Sequence, residues 1–322
     1  MLASETLVEI FSGRPMPIGE SSESYEVEIW DATYTTLKRT ISGLNSSSCI
    51  YMFAQQVADF GISIETVYVK VYQLSASLGR GYPLVASMTY VFSIDDPYFS
   101  LNSLLMHMND TGMTDVMGST VTLHGNAQRS SAHSVFGGYS LLLDGSGDYL
   151  SLPTATKFNF GSDDFTIQAR IYILGWANND SGIYQGSIIT KDSSSSREMI
   201  FYLTGTATSY TTLGFGGFAD SVNYTLVSGS FSFALNTWYE VAATRVGNLI
   251  YLFVNGDILN PGGTAFSRTI QTTSNTIKIG AHLFDVMYPL YLHAHIDEVR
   301  IKKGIGLYSD SYLISSSQFP DE

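Results

Sequence analysis

The chain of 322 residues has a single cysteine, Cys49. That excludes an internal disulfide framework and any zinc site built from several thiolates. Cys49 itself reads as a small, half-buried strand residue, because no His-Asn-type partner pattern supports a nucleophile. Charge is also scarce. Charged residues make up 14% of the chain, acidic residues outnumber basic ones by 29 to 16, and the net charge is −13. Such a field repels a phosphate backbone, which speaks against nucleic acid as a partner. No apolar run approaches the roughly 18 residues of a membrane span, so membrane insertion is not expected. Met1 to Ile10 lacks a basic stretch followed by an apolar run, so no secretory signal is expected. Sustained helical periodicity with matching caps is missing as well.

What remains is suited to strands. Apolar residues make up 44% of the chain, enough for a sizeable core. Polarity comes mainly from Ser, Thr, Gly, Asn and Tyr, which fit strands and their turns better than helices. The length suggests two domains. The punctuation between them is Ile94-Asp95-Asp96-Pro97-Tyr98, where Pro97 cannot donate to a ladder and biases Asp96 toward extended geometry. We therefore expect an all-β protein with one domain over 1–95 and a second over 96–322.

In the first segment Tyr25, Val27 and Ile29 alternate with Glu26, Glu28 and Trp30, a half-buried strand with Glu26 and Glu28 facing water. Thr66 to Leu74 alternates in the same way, and Leu84 to Phe92 offers a last strand. Turns at Gly43, Ser46 to Ser48 and Gly61 complete the pattern of a small β-sandwich. In the second segment Phe165, Ile167, Ala169, Ile171 and Ile173 line one face of a strand. Leu249 to Val254 is closed by Asn255-Gly256, a dipeptide suited to the positive φ angles of a type I′ hairpin, with Trp238 to Thr244 as its antiparallel neighbour. Leu141 to Leu143, the acidic Gly-rich run Asp144 to Asp148, and Tyr149 to Pro153 read as another hairpin. His295 to Ile301 is the closing strand. About a dozen strands in this segment favour one large sandwich.

Catalytic chemistry has little support. Sandwich glycosidases carry carboxylates at Glu-x-Asp-x-x-Glu spacing on one strand, and the nearest match, Glu26, Glu28 and Asp31, lies in the first domain on a face expected to be solvated. Gly-x-Ser-x-Gly is absent, and serines gather in turn-like clusters such as Ser193 to Ser196. His293 and His295 share a strand face, which could serve a metal but reads more simply as two polar positions near a sheet edge. Sugar binding needs aromatic platforms on a shallow polar surface, because pyranose rings carry apolar faces ringed by hydroxyls. Trp176, Tyr184, Tyr210, Phe218 and Tyr224 fall in or near Gly/Ser/Asn-rich stretches and are the candidate contacts. Against this stands the reading that each is a core or edge-strand residue.

Motifs in order give a family resemblance. Asp96-Pro97-Tyr98, Ser103 to His107, Gly125-Asn126-Ala127, Phe136 to Ser140, Leu143 to Leu150, Phe165 to Ala169, Trp238 to Ala242, Leu252 to Gly256, Ile296 to Ile301, Gly304 to Tyr308 and Phe319-Pro320 together resemble the laminin G-like, concanavalin A-like jelly roll of many phage tail proteins. The resemblance covers about residues 96 to 320. Gln55 to Gly61, Thr66 to Ser75 and Gly79 to Pro83 resemble a fibronectin type III-like module of phage tail-tip and central-fibre proteins.

These resemblances imply a virion tail component made in the host cytoplasm. The first domain would attach to other tail or baseplate proteins, and the second would bind a host-surface glycan or protein. A homo-oligomer is implied, with a trimer favoured, and no enzymatic activity. The alternatives are a purely structural tail or baseplate protein without a ligand of its own, and a polysaccharide depolymerase. Because Met1 stands close to the first module, an independent fibre or baseplate component is expected rather than the end of a hub protein. Related sandwiches often hold a structural Ca²⁺, which by resemblance would fall to Asp297 with Asn109 or Asp110 as partners; against it, Asp297 would pair with Arg300 or cap backbone amides. The Asp144 to Asp148 loop is a second cation candidate, with a tight turn as the simpler account.

Overall fold

The structure, a computed structural model, describes residues 7–8, 24–46, 49–51, 53–60, 66–89, 96–176, 182, 184–219, 224–284 and 289–321. The chain forms two compact units, Met1–Ser93 and Ile94–Glu322.

In the first unit the described residues form an antiparallel sheet in the order Leu37–Leu44, Tyr25–Trp30, Thr66–Ser75, Gly79–Arg80, with Leu84–Thr89 also on Thr66–Ser75. Its apolar face holds Val27, Ile29, Val67, Val69 and Val71, as the alternation requires. Two features depart from the sequence reading. Phe53–Phe60 is a helix, fixed to the sheet by the Arg39 fork on the Asp59 carboxylate at 2.6 and 2.8 Å. Tyr51 donates to the same carboxylate at 2.8 Å. Glu28, expected in water, is buried. Burial alone would raise its carboxyl pKa, but Arg80, Tyr72 and Trp30 all donate to it and hold it lowered. Asp31 spends its carboxylate on Thr33 and Thr35 in the adjoining turn. Glu26 and Glu28 are thus paired with Arg80 on the strand, and Asp31 closes a turn. Residues 90–92 of the expected last strand lie outside the described residues.

The second unit is a sandwich of two antiparallel sheets. Among the described residues one sheet has nine strands. Its main order is Gln128–Ser130, Ser140–Asp144, His293–Lys303, Phe165–Ile173, Trp238–Val246, Leu249–Val254, Asp257–Ile258. Asn102–Met106 also pairs with His293–Lys303, and Thr264–Ala265 with Leu249–Val254. The other sheet runs Tyr224–Ser230, Ser209–Phe218, Ser196–Thr206, Gln185–Ser193, Thr276–Ile279, Tyr149–Leu152, Thr122–His124. Ile167, Ile171, Val241 and Leu252 from the first face Phe201, Leu213, Phe215 and Ile277 from the second in one continuous core. Phe165 and Phe215 meet there with centroids 5.2 Å apart. Each such side chain contributes about 1.5–3 kcal/mol by leaving water.

The Asn255-Gly256 turn has φ of 52° and 80° and closes a two-residue hairpin, with Val254 opposite Asp257. The Asp144 to Asp148 run is different from the expected hairpin. Ser140–Asp144 belongs to the nine-stranded sheet and Tyr149–Leu152 to the seven-stranded one, so the segment crosses between them. Buried Asp148 shapes the crossing by accepting the N–H of Asp144 at 3.1 Å and of Asn126 at 2.7 Å. His293 and His295 also leave their expected place. Their strand is interior to the sheet, and His295 is buried against the Ser140 hydroxyl at 2.8 Å. Burial, with His133 and His293 nearby, depresses its pKa to about 4.

The last residues pack over the outer face of the nine-stranded sheet. Tyr308 and Tyr312 stack at 3.5 Å, and the Tyr312 hydroxyl donates to Glu240 at 2.7 Å. Thr244 donates to the Tyr308 carbonyl at 2.6 Å, and Arg300 lies 4.0 Å from the Phe319 ring centroid.

Candidate functional site

The outer face of the seven-stranded sheet carries the most ligand-like arrangement. Ile200, Tyr202 and Phe218 form a small apolar cluster there, separate from the main core. Next to it, at the end of the Gln185–Ser193 and Ser196–Thr206 strands, opens a cleft of about 540 Å³. One wall is the Ser193 to Ser196 turn and the other is Thr273 to Thr276, with Asp192, Lys278 and Leu283 completing it.

The floor is an ion pair. Lys278 Nζ stands 3.1 Å from Asp192 Oδ1, and both side chains are buried. Asp192 also receives the Thr190 hydroxyl at 2.8 Å and the Leu283 N–H at 2.6 Å, so its oxygens are committed. His282 Nε2 lies 3.8 Å from Asp192 Oδ2, beyond hydrogen-bond reach. Burial lowers the His282 pKa, opposed by Asp192. The walls are held together by Asn275 Nδ2, which donates to the Ser196 hydroxyl at 3.0 Å. Behind the second wall, Glu198 accepts the Thr273 N–H at 3.0 Å and hydroxyl at 2.8 Å, and meets Lys191 at 2.7 Å in a fully enclosed pair. The exposed hydroxyls of Ser194 and Ser274 thus sit on a fixed frame that offers donors and acceptors in both directions. A ligand dense in hydroxyls matches such a lining.

Beyond Ser196 the strand continues into Arg197, whose guanidinium carbon lies 4.6 Å from the Phe218 ring, 4.1 Å from Phe284 and 5.8 Å from Tyr224. Two of the five aromatic candidates are therefore brought to this face. Tyr224 is half exposed, at 50%, so its ring is open to solvent on this face. Phe218, expected as a contact, is instead buried beneath the Tyr224 ring with centroids 5.6 Å apart. Tyr210 is a correction of a stronger kind. It is enclosed in the main core, packed edge-on against half-buried Trp176 at 5.1 Å, because the register slips between Thr204–Thr212 and Gly205–Tyr210 and the extra residue turns Tyr210 to the inner face with Phe215. Tyr184 is half-buried and its carbonyl accepts from Gly205 and Thr204.

The calcium candidates do not make a cage. Asp297 caps the amides of Val135 at 2.8 Å and Phe136 at 3.3 Å, and burial raises its pKa to about 6 against those hydrogen bonds. Asp110 is exposed and closes its own turn onto Gly112 and Thr114. Asn109 packs against Gly137, with its Oδ1 enclosed and without a hydrogen bond. Among the described residues no three His, Cys, Asp or Glu side chains converge on one point. Asp297 and Asp110 thus serve backbone amides and a turn.

Lys278, Asp192, Arg197 and the Thr273 wall were missed from sequence. Lys278 left a signal, since it alternates with Ile277 and Ile279 and must face outward. The convergence of the two walls left none, because about eighty residues separate them.

The concanavalin A-like lectin/glucanases superfamily, in its Laminin_G_3 branch, matches residues 144–304, half of the chain. The chain belongs to this superfamily. Its matched region includes both walls of the cleft and the crossing at Asp144 to Asp148. Among curated proteins none matches the chain. Similar solved structures include the botulinum neurotoxin serotype D/C VPI 5993 binding domain, with TM-score 0.49 and 15% identity over 66% of this chain and 51% of that one. The botulinum neurotoxin DC binding domain in complex with SialylT gives 0.48 and 16% over 66% and 50%. The binding domain of Paraclostridial Mosquitocidal Protein 1 gives 0.47 and 14% over 66% and 51%. The chain spans about half the length of these structures. The second unit is a lectin-like jelly roll, and the expected sandwich of two facing sheets is what the structure contains.

Proposed function

We propose that this chain is a component of a bacteriophage tail fibre, tail tip or baseplate that binds a host-surface glycan through its second unit. The observation that carries the binding reading is the hydroxyl-lined cleft over the Asp192–Lys278 pair, set in a lectin-like sandwich and bordered by the Tyr224 ring. The tail assignment rests on the ordered motifs of both segments. The first unit serves attachment in this reading, as a fibronectin type III-like module would. The protein is a binder and not a depolymerase, because the cleft is lined by one carboxylate, Asp192, already neutralised by Lys278, whereas glycoside hydrolysis takes a pair. A single shallow sugar site is weak, so useful avidity comes from several copies in a homo-oligomer.

A glycan array probed with the intact protein tests this reading. Reproducible hits that disappear on Tyr224→Ala and Asn275→Ala, with unchanged thermal melting for Tyr224→Ala, support it. A silent array, together with host adsorption unaffected by deletion of residues 96–322, leaves a purely structural protein.

A further inference from the structure

Arg197 stands apart from the other enclosed cations. Arg170, Lys191, Lys278 and Lys302 each meet a carboxylate within 3.1 Å. Arg245 meets no carboxylate among the described residues but donates to carbonyls at Gly247 and Gly161. The Arg197 guanidinium has neither an ion pair nor a hydrogen bond among the described residues, and its Nε is shut away from water. Its cross-strand partner is Asp192, the natural counter-ion, but that carboxylate is spent on Lys278, Thr190 and the Leu283 amide. Half-burying an unpaired guanidinium costs stability unless something supplies the missing negative charge. The rings of Phe218, Phe284 and Tyr224 hold the group in place and recover part of that cost through cation–π attraction. They cannot satisfy its in-plane N–H donors.

We propose that Arg197 is an anion-binding subsite beside the hydroxyl-lined cleft, and that it takes the carboxylate of an acidic sugar such as a uronic acid. A guanidinium fork matches the two oxygens of a carboxylate. The sugar's hydroxyls then fall toward Ser196 and the Ser193 to Ser196 wall, one residue away along the strand, and Tyr224 offers a ring to its apolar face. The chain's net charge of −13 disfavours a densely charged polyanion, so the subsite reads one close negative group and does not depend on long-range attraction. The source of the carboxylate rests on the glycan reading; the unpaired guanidinium does not.

The test uses the full chain in saturation-transfer NMR and calorimetry with D-glucuronate, its methyl ester, D-glucose and inorganic phosphate. We expect glucuronate to bind at least about tenfold more tightly than the ester, the loss of one charge-assisted contact. Arg197→Gln should erase that gap while leaving the glucose signal in place, and Arg197→Lys should keep part of it. The acid-against-ester comparison on the unaltered protein stands even if a variant folds poorly. Equal affinity for acid and ester, an acid preference that survives Arg197→Gln, or phosphate binding as tight as glucuronate would each overturn the assignment. Neutral glycans binding without any acid preference sink this inference and leave the glycan reading intact. Arg197-dependent glucuronate binding with a silent glycan array does the reverse.

Discussion

His107 Nδ1 lies 2.8 Å from Glu298 Oε1, joining the strand region near the start of the second unit to its closing strand. The pair depends on a bulge. Glu298 adopts φ of 49°, the register slips opposite Gln168 and Arg170, and consecutive acidic residues Asp297 and Glu298 both escape the core side. His107 Nε2 reaches Asp321 Oδ1 at 2.7 Å, and Glu298 Oε2 accepts the Phe319 amide at 2.7 Å. The same imidazole therefore helps to fasten the C-terminal segment.

Burial alone would push the His107 pKa down, but Glu298 and Asp321 override it and raise it to about 9. A histidine whose pKa is raised on folding contributes stability that is complete below its unfolded value, roughly 6.5, and fades as pH climbs through 9. Thermal melts of His107→Gln against the parent from pH 6 to 10 should show a gap that is widest at pH 6 and closes toward pH 10. A constant gap would place the effect in packing alone.

The Lys191–Glu198 pair has both side chains fully enclosed. Lys191→Met should cost about 3–5 kcal/mol, since it strands a buried carboxylate. Adding Glu198→Gln should recover part of that loss, because the amide still accepts from Thr273 without carrying charge. Urea unfolding of both variants checks this.

Phe215 packs between Phe165 at 5.2 Å and Phe266 at 6.0 Å in the middle of the sandwich. Phe215→Ala should cost about 3–5 kcal/mol by leaving a cavity there. The same unfolding measurement reads it.

Gly256 has φ of 80°, and a Cβ there would run into the Tyr312 carbonyl. Gly256→Ala should loosen residues 305–321 before the sandwich itself melts, seen as faster amide exchange or proteolytic nicking in that segment at unchanged exchange in Phe165–Ile173. Equal loosening of both would mean the segment unfolds only with the whole unit.

Tyr210 and Tyr224, both plausible sugar contacts in sequence, should separate cleanly. Tyr210→Ala should cost several kcal/mol, on the order of other buried aromatic truncations. Tyr224→Ala should stay within about 0.5 kcal/mol of the parent, as exposed positions do.

Much of the fold was legible because burial imposes period-two alternation. Phe165–Ile173 and Leu249–Val254 carry their pairing in their sequence, and Asn255-Gly256 names its own turn. The Asp144 to Asp148 segment misled because a Gly-rich acidic run suits either a hairpin tip or a crossing between sheets. Only Asp148 binding the distant Asn126 amide decides between them. The Phe53–Phe60 helix was too short to show caps or sustained periodicity. Of the site, the Ser193 to Ser196 turn and Tyr224 could be seen. Its second wall, its ionic floor and the ring packing around Arg197 come from contacts across long stretches of chain, where local pattern carries no information.

The position of His293–Lys303 has a consequence for how this protein is made. That strand lies between Ser140–Asp144 and Phe165–Ile173 and also pairs with Asn102–Met106, yet it is synthesised after all three of these partners. The nascent chain must hold some two hundred residues of strand-forming sequence open until it arrives. The sandwich thus closes through pairings between distant parts of the chain, which makes its assembly slow for its size and exposed to mispairing with other unfinished copies.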